Sequence, residues 1–164
     1  MLILIAGLPG SGKTTIADAY ARKYSAVHFN SDRIRRELNL RGAYRPEDKQ
    51  RVYDNLLERT GKALKAGETV IVDSTFFRKS IRQPYIDLAT RLGVRLVWVL
   101  ATAPETVLRA RMSRPRTDSE ADEEVFEQIQ AQFEPLESPF LSVDTTTGAP
   151  GALVDDIHRY IEHG

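Results

Sequence analysis

At 164 residues, with 41% hydrophobic and 28% charged side chains, the chain has the size and composition of a globular domain with a full core. Its 23 basic and 23 acidic residues cancel, which excludes a bulk electrostatic pull toward nucleic acid or a membrane surface. Cysteine is absent, so disulfides and thiolate metal sites are excluded, and no apolar run approaches the roughly 20 residues that span a bilayer. The N-terminus lacks a basic leader region. The expectation is a cytoplasmic protein forming one domain over residues 1–164, with no membrane and no obligate protein partner.

Met1–Ala6 is a short apolar run that reads as a buried strand. It runs into Gly7-Leu8-Pro9-Gly10-Ser11-Gly12-Lys13-Thr14, a Gly, four free positions, then Gly-Lys-Thr, with Thr15 just behind. Glycines let such a loop turn its N–H groups inward toward an anion, where side chains would collide with phosphate oxygens. The helix predicted from Thr14 to Ala21 adds the positive end of its dipole. Lys13 then reaches the β- and γ-phosphates of a nucleoside triphosphate, and the Thr14 hydroxyl holds Mg²⁺.

Residues 26–29 read as a second strand, and Ser31 as the N-cap of a short helix from Asp32 to about Leu40. Pro46-Glu47-Asp48 opens a long helix with Val52, Tyr53, Leu56, Leu57 and Leu64 on one face, and Gly67 lies just past its end. Residues 69–73 form a β-branched strand closing on Asp73. Lys79 to Leu92 reads as a helix interrupted near Pro84, and residues 94–100 as the next strand. Thr102-Ala103-Pro104-Glu105 has the form of a capping box leading into residues 107–112. Residues 114–118 break the pattern. Ser119 then caps a helix carrying Phe126, Ile129 and Phe133 as a core stripe. A last strand covers 140–144 and a closing helix 152–163. Short strands alternating with helices predict an α/β fold, a five-stranded parallel sheet with helices on both faces.

In open parallel sheets ligands bind beyond the carboxyl ends of the strands. That rule selects Asp32 as a candidate general base, able to take the proton of a hydroxyl acceptor opposite the γ-phosphate. Arg35, one turn on, shares its face and can grip a substrate phosphate. Asp73 is either part of the metal shell, through water, or an acceptor contact beside Thr75 and Arg78. Arg109, Arg111, Arg114 and Arg116 crowd one helix end and the break after it. A lid over about 111–121 would carry at least one of them onto the transferring phosphate, with Arg111 and Arg116 ranked first. His28 and Trp98 read as packed strand residues. Residues 32–51 hold seven basic against four acidic side chains, a mild bias on the acceptor side.

The phosphate loop, the Ser31-Asp32-x-x-Arg35 step, Val70-Ile71-Val72-Asp73-Ser74-Thr75 and the arginine-rich lid together resemble the P-loop kinases of the polynucleotide kinase and zeta-toxin-like group. The resemblance runs from about Leu2 to Asp144. It implies the P-loop NTPase fold, Mg²⁺ and ATP or another NTP as donor. It also implies Asp32 as base, Arg35 on the acceptor's phosphate, and lid arginines on the donor. The first-choice acceptor is the 5′-hydroxyl end of RNA or DNA. The alternatives are a small-molecule kinase, for a metabolite, sugar nucleotide or antibiotic, and an NTP-binding regulatory module without an acceptor.

Overall fold

The computed structural model describes residues 1–40, 42–43, 45–113 and 123–163. Five strands form one parallel sheet: β1 (Leu2–Ala6), β2 (Val27–Asn30), β3 (Val70–Asp73), β4 (Leu96–Thr102) and β5 (Phe140–Asp144). Their spatial order is β2-β3-β1-β4-β5. Strand β1 is buried along its whole length because it sits at the centre with helices on both sides.

Alternation along the strands sorts the core into two layers. Leu2, Leu4, Val70, Val72 and Trp98 face α3 (Pro46–Lys65) and α4 (Lys79–Leu92), which contribute Val52, Leu56, Tyr85 and Leu88. Ile3, Ile5, Ile71, Val97 and Val99 face α1 (Lys13–Tyr24) and α7 (Pro150–His163), which contribute Ile16, Tyr20, Val154 and Ile157. Trp98 is buried as expected and meets the Phe76 ring edge-on at 5.6 Å. Among the described residues no helix is long and apolar enough to cross a membrane.

Four local expectations are corrected. Asn30, not Ser31, caps α2 (Ser31–Glu37): its carboxamide oxygen accepts the Arg33 N–H at 2.8 Å. Asn30 is the last extended residue of β2, so its side chain reaches forward over the first turn, whereas Ser31 already has helical backbone. The helix also stops at Glu37, short of Leu40.

Thr102 does not head a capping box. It ends β4 in register with Asp144, its hydroxyl donates to the Val143 carbonyl at 3.3 Å, and Pro104 occupies the N-cap of α5 (Glu105–Met112). Pro84 does not interrupt α4, which runs through it while Tyr85, Leu88 and Ala89 are buried against the sheet. Packing of that face outweighs the single N–H that proline removes.

Of the lid stretch, residues 114–122 lie outside those described, and with them Arg114, Arg116 and the expected Ser119 cap. The chain resumes in α6 (Glu123–Ala131), where Phe126 is fully buried while Ile129, like Phe133 just beyond the helix, is half-buried.

Candidate active site

The loop between β1 and α1 is shaped by glycines at positive φ, where any other residue would be strained. A Cβ on Gly7 would stand 2.4 Å from the Ala101 carbonyl oxygen and 2.7 Å from the Ser11 hydroxyl, at a φ of +149°. Gly12 caps α1 in the left-handed region, φ +83°, with the Thr145 side chain 3.3 Å from where its Cβ would be. The loop is pinned from below: the Gly7 N–H donates to the Thr75 carbonyl at 3.3 Å. Lys13 folds back so that its ammonium donates to the Leu8 carbonyl at 2.9 Å.

Under the loop lies Asp73, only 1% exposed. The Thr14 hydroxyl donates to its Oδ2 at 2.8 Å, and the Asn30 carboxamide to the same oxygen at 2.8 Å. His28 Nε2 donates to Oδ1. These donors converge from α1 and β2, so the carboxylate is aimed at the loop's threonine rather than out into solvent.

His28, read from sequence as a packed histidine, is a bridge between two acids. Its Nδ1 stands 2.8 Å from Asp18 Oδ1, and its side chain is 6% exposed. A neutral imidazole has one N–H and would turn a lone pair toward one of the carboxylates, so the doubly protonated ring satisfies both. Burial pushes the imidazole down in pKa, but the bonds to Asp73 and Asp18 outweigh it and the net direction is up. Asp18 is held in turn by Arg33 through two bonds of 2.9 and 2.7 Å. That pairing, opposed by burial and aided by His28, brings the Asp18 carboxyl down to about 2.

Pro9, Gly10, Gly12, Lys13, Thr14 and Thr15 line one cavity of about 1050 Å³, and Asp32, Arg35, Asp73, Thr75 and Arg78 line the same one. Gly7 and Ser11 lie behind its wall. A volume of this size exceeds the usual span of a single drug-sized ligand and leaves room for a nucleotide and a second molecule. Arg35 is held rather than waving: it is 8% exposed and donates to the Ala43 carbonyl at 2.7 Å. Arg78 is exposed, donates to Gln132 Oε1 and lies over the Phe77 ring.

The arginines of α5 separate. Arg111 crosses to the phosphate loop, donating to the Gly10 carbonyl at 3.1 Å and to the Thr145 hydroxyl at 2.8 Å. Arg109 faces away, bonded to Glu105 at 2.9 Å and Glu123 at 2.8 Å over the Phe126 ring, where it ties α5 to α6.

Sequence reasoning missed four contributors to the site. Asn30 and His28 sit two apart on β2, so they share a face of the sheet, and that period-two spacing ahead of Asp32 was the available signal. Tyr53 was assigned to the core face of α3. Its side chain lines the cavity together with Ser74 and Thr75, and burial pushes its pKa up. Arg82, 4% exposed inside α4, donates to the carbonyls of Phe76 at 2.6 Å and Pro135 at 2.8 Å, a role no local pattern announces.

Comparison with known proteins is consistent with this geometry. A family model described as an AAA domain matches residues 2–136. No curated protein matches the chain. Among solved structures, the APS kinase of Mycobacterium tuberculosis in complex with AMPPNP and APS is similar at TM-score 0.76 and 16% identity, covering 98% of this chain and 96% of that one. A sugar kinase from Janibacter sp. HTCC2649 is similar at TM-score 0.74 and 21% identity, covering 98% and 94%. A gluconokinase from Sinorhizobium meliloti 1021 is similar at TM-score 0.69 and 20% identity, covering 99% and 97%. At these identities the similarity establishes the fold, an α/β P-loop sheet.

Proposed function

Because the chain belongs to the AAA-domain family, we propose that it is a phosphotransferase that moves the γ-phosphoryl group of ATP or another NTP onto a hydroxyl of a small molecule. The observation that carries this reading is the shared cavity: the phosphate loop forms one side and Asp32 with Arg35 the other. A nucleotide switch needs the first half only. Similar folds named APS kinase, sugar kinase and gluconokinase favour a small acceptor over the 5′-hydroxyl polynucleotide end that the sequence put first.

In this mechanism the loop N–H groups and the dipole of α1 bind the donor's phosphates. Lys13 exchanges the Leu8 carbonyl for the β- and γ-phosphate oxygens. Asp32 accepts the acceptor's hydroxyl proton as the acceptor oxygen bonds to the γ-phosphorus. The bond from that phosphorus to the bridging oxygen breaks, and the nucleoside diphosphate leaves with the electron pair. Arg35 orients the acceptor, with Thr75 and Arg78 nearby, and Arg111 steadies the loop from the lid side. Arg116 remains an assigned lid arginine on its sequence position alone.

A P-loop Mg²⁺ needs only one or two protein oxygens beside those of the phosphates. The Thr14 hydroxyl and the Asp73 carboxylate, already 2.8 Å apart, fit that demand. Among the described residues no cluster of three or more His, Cys, Asp or Glu side chains offers an all-protein cage instead. When bound, the ion neutralises charge on the phosphates.

The test is γ-phosphate transfer by the purified protein with Mg²⁺ to a panel of sugars, nucleosides, aminoglycosides and 5′-hydroxyl oligonucleotides, compared with Asp32→Asn. The expected result is label on a small molecule and a loss of about 10²–10⁴ in transfer rate in the variant, with nucleotide affinity kept. Unchanged product formation in Asp32→Asn would overturn the mechanism. Label on oligonucleotides alone would restore the polynucleotide acceptor.

A further inference from the structure

The carboxamide of Asn30, 4% exposed, is bonded on two sides at once. Its oxygen accepts the Arg33 N–H at 2.8 Å and so caps α2. Its nitrogen donates to Asp73 Oδ2 at 2.8 Å and to the Thr14 hydroxyl at 3.2 Å. A carboxamide has one oxygen and two N–H donors to place, and here each finds a partner. The partners also fix which way round the amide sits, because only its oxygen can accept an N–H and only its nitrogen can donate to a carboxylate.

Capping alone does not call for asparagine, since serine and aspartate cap a helix as well. Aspartate would set a second carboxylate against Asp73 Oδ2, and serine has a single proton to give. The carboxamide accepts from one helix while donating twice to the Thr14–Asp73 pair. The sheet puts it there: Asn30 ends β2 in parallel register with Asp73 at the end of β3.

The helix that Asn30 caps has seven residues and carries Asp32 and Arg35, both on the cavity. A helix this short has little stability of its own, so its first turn stands where its tethers hold it. The Arg33 guanidinium is one tether, bonded to Asp18 of α1 at 2.9 and 2.7 Å, and it reaches Asp73 only through Asp18 and His28. Asn30 bonds the Thr14–Asp73 pair directly.

We propose that Asn30 is a positioning residue that couples the two halves of the site: order at the Thr14–Asp73 pair passes through one carboxamide to the first turn of α2 and sets where Asp32 stands. The inference rests on the phosphotransferase reading of the same cavity. A nucleotide that fixes Thr14 and Asp73 also tightens the α2 cap, so the base is best placed when the donor is bound. By linkage, a firm cap favours nucleotide binding to the same degree.

The experiment follows hydrogen exchange of the Arg33 amide by NMR in the full chain, with and without AMPPNP and Mg²⁺, in the parent, Asn30→Ser and Asn30→Ala. Serine keeps a capping oxygen but cannot serve Thr14 and Asp73 together, whereas alanine loses both functions. In the parent, AMPPNP with Mg²⁺ is expected to slow exchange at least about fivefold. In Asn30→Ser the ligand-free rate should stay within about twofold of the parent, and the slowing by nucleotide should vanish. In Asn30→Ala exchange should be about fivefold faster, with or without nucleotide. By calorimetry, the gain in AMPPNP affinity from EDTA to Mg²⁺ should fall about tenfold in Asn30→Ser.

Parental exchange that ignores nucleotide, or slowing and Mg²⁺ dependence that both survive in Asn30→Ser, would overturn the coupling. Should Asn30→Ser fail to fold, as judged by its melting curve, Asn30→Thr replaces it, and absence of slowing in the parent still refutes the proposal. Transfer is read separately on any acceptor that takes label: kcat is expected to fall about tenfold or more in Asn30→Ser, with a smaller change in acceptor KM. If no acceptor takes label, the phosphotransferase reading falls and the exchange measurement judges the coupling on its own.

Discussion

Replacing His28 by leucine tests whether the bridge between Asp18 and Asp73 holds the site together. The imidazole serves both carboxylates, and its side chain is 6% exposed. Asp18 keeps its two bonds from Arg33, so the loss falls on Asp73, whose Oδ1 is deprived of the His28 donor at 1% exposure. A hydrogen bond to a charged group contributes about 1.5–3 kcal/mol, and breaking a buried pair costs about 3–5. Leucine nearly matches the volume of histidine, so the cavity contribution is small and the lower end, about 3 kcal/mol, is the expectation. For a chain of this length that lowers Tm by roughly 6–12 °C in a calorimetric or fluorescence melt.

A second readout distinguishes positioning from simple destabilisation. Asp73 orients the Thr14 hydroxyl at 2.8 Å, so a misaligned Asp73 should weaken nucleotide binding in Mg²⁺ more than in EDTA. His28→Gln, which can place an amide N–H near the position of Nε2, should recover part of both effects. A His28→Leu melt within about 2 °C of the parent, with the Mg²⁺ dependence of binding unchanged, would refute the reasoning.

Two further perturbations probe the loop and the acid limb of stability. In Gly7→Ala the new methyl meets the Ala101 carbonyl at 2.4 Å on a φ of +149°. Overpacking and backbone strain together cost about 2–6 kcal/mol, so the variant should melt well below the parent and lose nucleotide binding; a parental melt with full affinity contradicts the loop geometry. Arg33→Gln removes the chief partner that brings Asp18 down to about 2 from its ordinary 3.8. A depressed carboxyl contributes stability above its unfolded pKa and loses it as pH falls through the folded one. The gap in Tm between parent and variant should therefore be widest above about pH 4 and close as pH drops toward about 2. A gap that stays constant over that range would assign Arg33 no electrostatic role.

Much of the loop side of the cavity was readable along the chain because its information is local. Gly7, Gly10, Gly12, Lys13 and Thr14 lie within eight positions, and the apolar run before them together with the helix after them sets their geometry without help from distant residues. The alternation of strands and helices likewise determined the sheet class, since a parallel sheet is what such an order can form. Asp32 and Arg35 were located by the rule that strand ends carry ligands, and both line the cavity.

What the sequence could not determine is which side chains meet across elements. His28 reads as an ordinary strand residue until β2 lies beside β3 in register, Asn30 opposite Asp73, and α1 brings Asp18 over the same face. The arginines of α5 look alike in sequence. Only packing sends Arg111 to Gly10 and Thr145 and turns Arg109 to the acids of α5 and α6. Phe126, Ile129 and Phe133 carry the helical spacing of a core stripe, yet Ile129 lines the cavity, because the pattern is the same whether a helix faces the core or a cavity. Period and composition specify that a face is apolar; only the neighbouring elements decide what that face touches.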